Sequence, residues 1–265
     1  MTKFSTQCFR DFKKYIGELT ATAAGIHSSV CLTADFVKQM NSLDPWSEIA
    51  AKYGIKVNGL SSENVLKSAS RMNIVSLYSG FDLFLVSFMK QFMRLTDCEW
   101  CAIKDDSPFD EFYKNLKSSQ TNLKFMVQEP RRVVIDYYRL SRNAIVHPSK
   151  DNIERAKGFY KNHIISIEKV QAQYSLRSAP NEFDNLNFHD VKIFARLLLD
   201  VLPIIDEAVD PGDEKLGSLI PFKSWKRLSN KHRIRNAAKG YLKQNFGVTD
   251  DRAEMIFIIS NGSLA

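Results

Sequence analysis

Glycine and proline are scarce in this chain, 11 and 8 among 265 residues, and neither clusters into a low-complexity tract. With 44% apolar residues, that composition excludes collagen-like repeats and argues against global disorder. Cysteine is scarcer still. Cys8, Cys31, Cys98 and Cys101 are too few and too irregularly placed for a disulfide framework, so a reducing compartment is expected. Cys98-Glu99-Trp100-Cys101 is a lone C-x-x-C: structural zinc needs four ligands and no second pair completes the set, while a thioredoxin-like motif needs a βαβ context. Uninterrupted apolar runs are also short, none approaching the roughly 20 residues of a membrane-spanning helix. The first 19 residues interleave charge with apolar positions rather than carrying a signal-peptide core. These absences predict a cytoplasmic protein with no membrane partner. Gly-rich phosphate loops, H-E-x-x-H and G-x-S-x-G are missing, and His27, His163 and His189 have no ligand-like spacing, so neither a metal nor an organic cofactor is expected.

What the chain does have is an uneven charge. The formal net charge is +7, and between Leu216 and Thr249 stand Lys223, Lys226, Arg227, Lys231, Arg233, Arg235, Lys239 and Lys243 with no acidic residue. The remainder is therefore close to neutral. Ser229-Asn230 can cap a helix that runs to Phe246 and stops at Gly247. On it Lys231, Arg235, Lys239 and Lys243 recur every four residues as one cationic stripe, while Ile234, Ala238, Tyr241 and Leu242 can face a core. Such a stripe suits an RNA backbone, because Lys and Arg displace condensed counterions without reading sequence. A solvated face or a site for an acidic partner gives the same pattern.

Hydrophobic periodicity predicts an all-α bundle, with no βαβ alternation and no repeat. Helices are expected over residues 5–20 and 32–52, the second interrupted at Asp44-Pro45, with a turn at Val57-Asn58-Gly59. From Ser62, read as an N-cap, Leu66, Ile74, Leu77, Tyr78, Phe81, Phe84, Leu85, Phe88, Phe92 and Leu95 follow at helical steps, in one long helix or two abutting ones. A shorter helix is expected over residues 109–117. Another starts at Pro130 and is stopped by Pro148, and two more cover residues 153–174 and 188–209, with Pro203 a possible kink. Asp210-Pro211-Gly212-Asp213 marks a boundary, and Asp251 with Glu254 resembles a capping box opening a last short helix, although its apolar run also suits a strand. Three segments are expected: an N-terminal helical extension, 1–60; a helical bundle, 61–210; and a basic C-terminal helical segment, 211–265.

One motif carries chemistry. Arg142-Asn143-Ala144-Ile145-Val146-His147 is an R-x4-H string with a polar residue after the arginine, placed at the end of an amphipathic helix just before Pro148. Arg227-Leu228-Ser229-Asn230-Lys231-His232 has the same spacing, but leucine follows its arginine and Ser-Asn favours a turn inside it. Arginine stays cationic and grips phosphate oxygens with a planar fork, and histidine titrates near neutrality. On an ideal helix five residues advance about 500°, so the two side chains point about 140° apart unless the terminal turn unwinds at Pro148. A helix C-terminal histidine stabilised by the helix dipole accounts for the same residue without any chemistry.

The R-x4-H string in its helical setting, over roughly residues 62–176, resembles the signature of HEPN ribonucleases. That resemblance implies an HEPN-like helical bundle with additional N- and C-terminal helices. It also implies metal-independent cleavage of RNA to 2′,3′-cyclic phosphate and 5′-hydroxyl ends by a homodimer whose two motif helices face each other. A toxin or antiviral defence effector is the usual setting, with an antitoxin or other regulatory partner possible. Some antitoxin-regulated relatives carry a tyrosine two residues after the histidine, where this chain has Ser149. Arg142 and His147 become the catalytic pair, with Asn143 fixing the ring or the phosphate. Asp82, which interrupts an apolar stretch, is the candidate polar residue from an earlier helix; an exposed helix position is its plain alternative. Arg139 would extend the phosphate path. Tyr137 and Tyr138 either stack on bases or, as helical spacing more often means, sit in the core. The rival from another class is a catalytically silent module that binds nucleic acid or protein through residues 216–249.

Overall fold

A computed structural model describes residues 4–104, 106–119, 129–225 and 230–262. Among them the protein is all-α, with eleven α-helices and no strand. The helices are α1 (Gln7–Val37), α2 (Pro45–Ala51), α3 (Ser62–Thr96), α4 (Pro108–Ser119), α5 (Glu129–Val146), α6 (Lys150–Asn162), α7 (Ile164–Gln173), α8 (Phe188–Ala208), α9 (Asp213–Ser218), α10 (Lys231–Phe246) and α11 (Asp250–Gly262).

Several boundaries differ from the sequence expectation, each for a local reason. The two N-terminal helices expected over residues 5–20 and 32–52 are instead α1, unbroken to Val37, and α2. No proline interrupts the chain before Pro45, and a helical glycine such as Gly25 costs only about 1 kcal/mol relative to alanine. The cap of α3 is Ser61, whose Oγ accepts from Asn64 N at 3.2 Å, so Ser62 is the first helical residue. The helix expected over residues 153–174 breaks at His163. There the backbone N–H is shared between the carbonyls of Phe159 and Tyr160, and the ring stacks on Phe159 at 4.1 Å. At the C-terminus Thr249 caps α11, accepting from Arg252 N at 3.3 Å, and the apolar run is helical rather than extended. Glu254 pairs elsewhere instead of closing a capping box.

The helix α3 is long and apolar enough, by length and composition alone, to cross a membrane. Its Ile74, Leu77, Tyr78, Phe81, Phe84, Phe88 and Phe92 are nonetheless buried in the fold.

The chain forms two compact units, and neither follows the expected division at residues 60 and 210. One comprises Met1–Lys14, Phe81–Val127 and Leu199–Ala265; the other comprises Tyr15–Gly80 and Gln128–Leu198. The divisions fall inside α1, α3 and α8.

In the first unit an aromatic cluster of Phe12, Phe81, Phe84, Phe88, Phe109 and Phe112 fills the core, with neighbouring ring centroids 4.9–6.4 Å apart. The N-terminal segment is tied into it twice. Thr6 donates to the buried Asp206 of α8 from its backbone N at 2.9 Å and from its hydroxyl, and Ser5 N donates to Phe246 O at 2.8 Å. Gly247 ends α10 in the left-handed region at φ 59, and a Cβ there would collide with Ser5, so two constraints select glycine. Asp210 and Asp213, expected only to mark a boundary, instead grip the buried Arg252 of α11 at 2.5–2.9 Å. Arg252 is thereby held strongly protonated by the two carboxylates.

The second unit packs α5 against α6 and α7. Tyr137, Tyr138, Tyr160 and Phe194 form its aromatic centre, with centroids 4.7–5.4 Å apart. α1 approaches α3 at Gly80, where a Cβ would strike the Tyr15 ring, and the Tyr15 hydroxyl donates to Ser76 O at 2.8 Å.

Candidate functional site

The helix α5 carries the motif, and its amphipathic pattern explains its placement. Val134, Ile135, Tyr137, Tyr138, Leu140, Ser141 and Ala144 are buried, which leaves Arg139, Arg142 and Asn143 half-buried beside the packed face. Arg142 Nη1 donates to Asn143 Oδ1 at 3.0 Å. Its Nε is buried and has no hydrogen-bond partner among the described residues. Asn143 therefore orients the guanidinium rather than the histidine ring. A buried guanidinium donor left unpaired is costly unless a further group meets it, and an anionic oxygen is the natural one.

His147 sits one residue beyond the end of α5 with its side chain exposed. The terminal turn does not unwind as the convergence of the two side chains was expected to require: His147 N still donates to Asn143 O at 2.8 Å. The His147 carbonyl accepts from Ser149 N at 2.7 Å and from Asn152 Nδ2 at 2.9 Å. Ser149 also caps α6, accepting from Asn152 N at 3.2 Å. The residue is thus pinned through its backbone between two helices while its imidazole is presented to solvent.

The other expected site residues fare differently. Asp82 lies half-buried on α3 in the first unit, whereas Arg142, Asn143 and His147 belong to the second. Arg139 is paired with Asp136 at 2.8 Å, so its charge is already balanced within α5. Tyr137 and Tyr138 are core residues, fully buried, with hydroxyls donating to Asn181 O at 2.6 Å and Asp190 Oδ1 at 3.1 Å; base stacking on them is ruled out. Burial pushes both phenols far above the ordinary tyrosine range.

The cationic stripe on α10 is real as spacing but largely occupied. Arg235 and Lys239 share Glu254 at 2.6 and 3.3 Å, and Lys243 meets Asp250 at 3.1 Å. Lys231 alone of the four is exposed without a described partner. The pairing holds the Glu254 carboxyl below its usual range, through Arg235 first and then Lys239. Asn230 caps α10 as expected, accepting from His232 N and Arg233 N at 2.8 and 3.3 Å. Lys226 and the first half of the second R-x4-H string, Arg227 to Ser229, lie outside the described residues.

Sequence reasoning missed Asp190. Fully buried, it accepts from Tyr138 Oη (3.1 Å), Asn181 N (2.9 Å), Asn181 Nδ2 (2.8 Å) and Asn187 N (3.0 Å). Burial raises its pKa and these donors oppose the rise. The signal was present as Asn187-x-x-Asp190 before an apolar run, a reciprocal cap in which Asn187 Oδ1 also accepts from His189 N at 2.8 Å. Asp190 thus joins the motif helix to the start of α8.

No family model, curated protein or solved structure matches this chain.

Proposed function

We propose that the protein is a metal-independent endoribonuclease of the HEPN type that acts as a homodimer, with Arg142 and His147 as its catalytic pair. The observation that carries this reading is the state of Arg142: Asn143 holds one guanidinium arm, and the buried Nε is left with a proton to donate. An exposed imidazole follows one turn on, clamped through its backbone.

In the reaction, His147 removes the proton from a ribose 2′-hydroxyl. The oxygen attacks the adjacent phosphorus and the bond to the 5′-oxygen breaks. The leaving oxygen takes up a proton, giving a 2′,3′-cyclic phosphate and a 5′-hydroxyl. Arg142 donates to the non-bridging oxygens as charge shifts onto them. The proton taken and the proton given belong to different oxygens, so one histidine is an incomplete set. A second motif contributed across a two-fold interface supplies the missing acid. A toxin or antiviral defence effector, held in check by a partner protein, fits such an activity.

The test is cleavage of mixed-sequence RNA in the presence of chelator by wild type, Arg142→Ala and His147→Ala. Each substitution should lower the rate by about 100-fold or more while RNA binding stays within a few-fold. Cleavage persisting in His147→Ala removes this site from the mechanism. Intact RNA binding with no cleavage by wild type favours the second reading, a non-catalytic nucleic-acid-binding module. The exposed Lys231 and Arg233 at the start of α10 support that alternative.

A further inference from the structure

The first unit carries two thiols in the loop between α3 and α4. Cys98 and Cys101 are both exposed, whereas Cys8 and Cys31 are half-buried. Burial pushes the Cys8 thiol up to about 11, and its sulfur lies 3.1 Å from the Thr6 hydroxyl, which makes it a poor nucleophile. Among the described residues no further side chain joins the exposed pair to make a metal-ligating group of three or more. Zinc needs four ligands, so redox chemistry between the two sulfurs is what the pair can offer.

The two ends of this loop are held differently. Asn115 of α4 fixes the Cys101 backbone on both sides, accepting from Cys101 N at 2.8 Å and donating to Cys101 O at 2.9 Å. Glu111 accepts from Trp100 Nε1 at 2.7 Å and from Ile103 N at 3.1 Å, and the Trp100 ring meets Phe92 edge-on with centroids 5.6 Å apart. At the other end the bonds are local: Cys98 N donates to the Thr96 hydroxyl at 3.2 Å and Cys98 Sγ to Thr96 O at 3.6 Å. Between them Asp97 leaves α3 in the left-handed region at φ 55, which residues other than glycine seldom adopt.

Asp97 is also a tie to the C-terminal part of the unit. Its carboxylate is paired with Lys215 of α9, the helix whose Asp213 helps to hold Arg252. Cys98 and Lys215 line one small cleft of about 370 Å³, together with Asp97, Val209, Asp210 and Pro211. A disulfide requires Cα atoms roughly 4.4–6.8 Å apart, whereas three residues of extended chain span up to about 10 Å. Because Cys101 is fixed to α4, any movement that closes the pair falls on Cys98 and, next to it, Asp97.

We propose that Cys98 and Cys101 are a reversible oxidation site, at which hydrogen peroxide forms an intramolecular disulfide whose closure draws Asp97 away from Lys215. One thiolate attacks a peroxide oxygen and the O–O bond breaks, giving a sulfenic acid and a hydroxide that takes up the proton released by the thiol. The second sulfur then attacks the sulfenic sulfur. The S–S bond forms, the S–O bond breaks, and the departing hydroxide leaves as water with the second thiol's proton. Two thiols are thereby oxidised and one peroxide is reduced to two waters; a dithiol reductant reverses the step by exchange. Sulfurs three residues apart meet at high effective concentration, so closure outruns further oxidation of the sulfenic acid. The proposal uses no residue of the R-x4-H motif and is independent of the catalytic reading.

Thiol mapping with hydrogen exchange tests it on the full chain. Reduced protein is freed of reductant, exposed to hydrogen peroxide, blocked with iodoacetamide and digested with trypsin. Both cysteines fall in the peptide of residues 95–104. In oxidised wild type that peptide should lack two hydrogen atoms and carry no label, while Cys8 and Cys31 are labelled; dithiothreitol should restore both thiols. Amide exchange over residues 213–218 should be about threefold or more faster after oxidation. Cys98→Ser treated in the same way should show no change, and reduced Asp97→Asn, which lacks the ion pair, should show the faster exchange without any oxidant. Labelled thiols in the peptide, separate sulfinic acids, or a bond to another cysteine or a second chain would overturn the site. A disulfide that leaves exchange over 213–218 unchanged would overturn its link to Lys215.

Discussion

Asp206 shows what burial does to a single carboxyl. Desolvation pushes its pKa from the ordinary 3.8 to about 6, against the opposing pull of Thr6 and Arg10. A carboxyl whose folded value is raised binds its proton more tightly folded than unfolded. Its contribution to stability is therefore greatest below about pH 4 and is lost as the pH climbs through about 6. The window amounts to about 3 kcal/mol at most. Urea unfolding between pH 4 and 7 should show stability falling with rising pH, and Asp206→Asn should flatten that slope. Equal slopes in the two proteins would remove Asp206 as the source. At the same scale, Asn143 stands directly after Arg142 and takes one arm of its guanidinium, a role that sequence adjacency allowed but did not distinguish from contact with the histidine ring.

Pairs of helices are where the basic segment changes meaning. A stripe of cations every four residues reads as a phosphate track, yet α11 lies along it and supplies Glu254 and Asp250. Exposed ion pairs of this kind add little stability; their larger effect is to lower the charge offered to a polyanion. Glu254→Gln should release Arg235 and Lys239, raise RNA affinity at low salt and steepen the dependence of log K on log salt by up to about 2. An unchanged slope in filter-binding or anisotropy titrations would show that the stripe does not contact RNA.

The limits of the sequence are plain at this level. Residues 129–146 and 231–246 were readable because proline, asparagine and glycine signals stand at their ends and apolar residues recur every three or four positions. Glu254 was not, because its partners lie 15 and 19 residues away and spacing within one helix says nothing of what packs on it. The apparent boundary at Asp210 to Asp213 failed for the same reason: turn chemistry was correctly legible, but its long-range hold on Arg252 was not. The motif itself was visible as a string, and the unpaired Nε of Arg142 became visible only with the packing of α5.

For the molecule as a whole, the catalytic proposal requires two copies. Val146, 41% exposed, and His147 stand together at the end of α5, on the part of the motif helix that packing leaves open. Sedimentation velocity should find a dimer at micromolar concentration, and cleavage per unit protein should fall as the enzyme is diluted through its dissociation constant. Activity strictly proportional to concentration in a protein that sediments as a monomer would discard the composite site.

The two compact units also set the order in which the chain can be completed. Residues 4–14 are made before the segments they bind, since Thr6 and Ser5 bond to Asp206 and Phe246. The first unit must therefore hold residues 4–14 in reserve until residues 199–246 have been made. The bond between Thr6 and Asp206 spans 200 residues, and contacts of such long sequence separation slow folding. A fragment cut at residue 60 or 210 would divide a unit rather than separate two, so an excised central piece should expose apolar surface and aggregate.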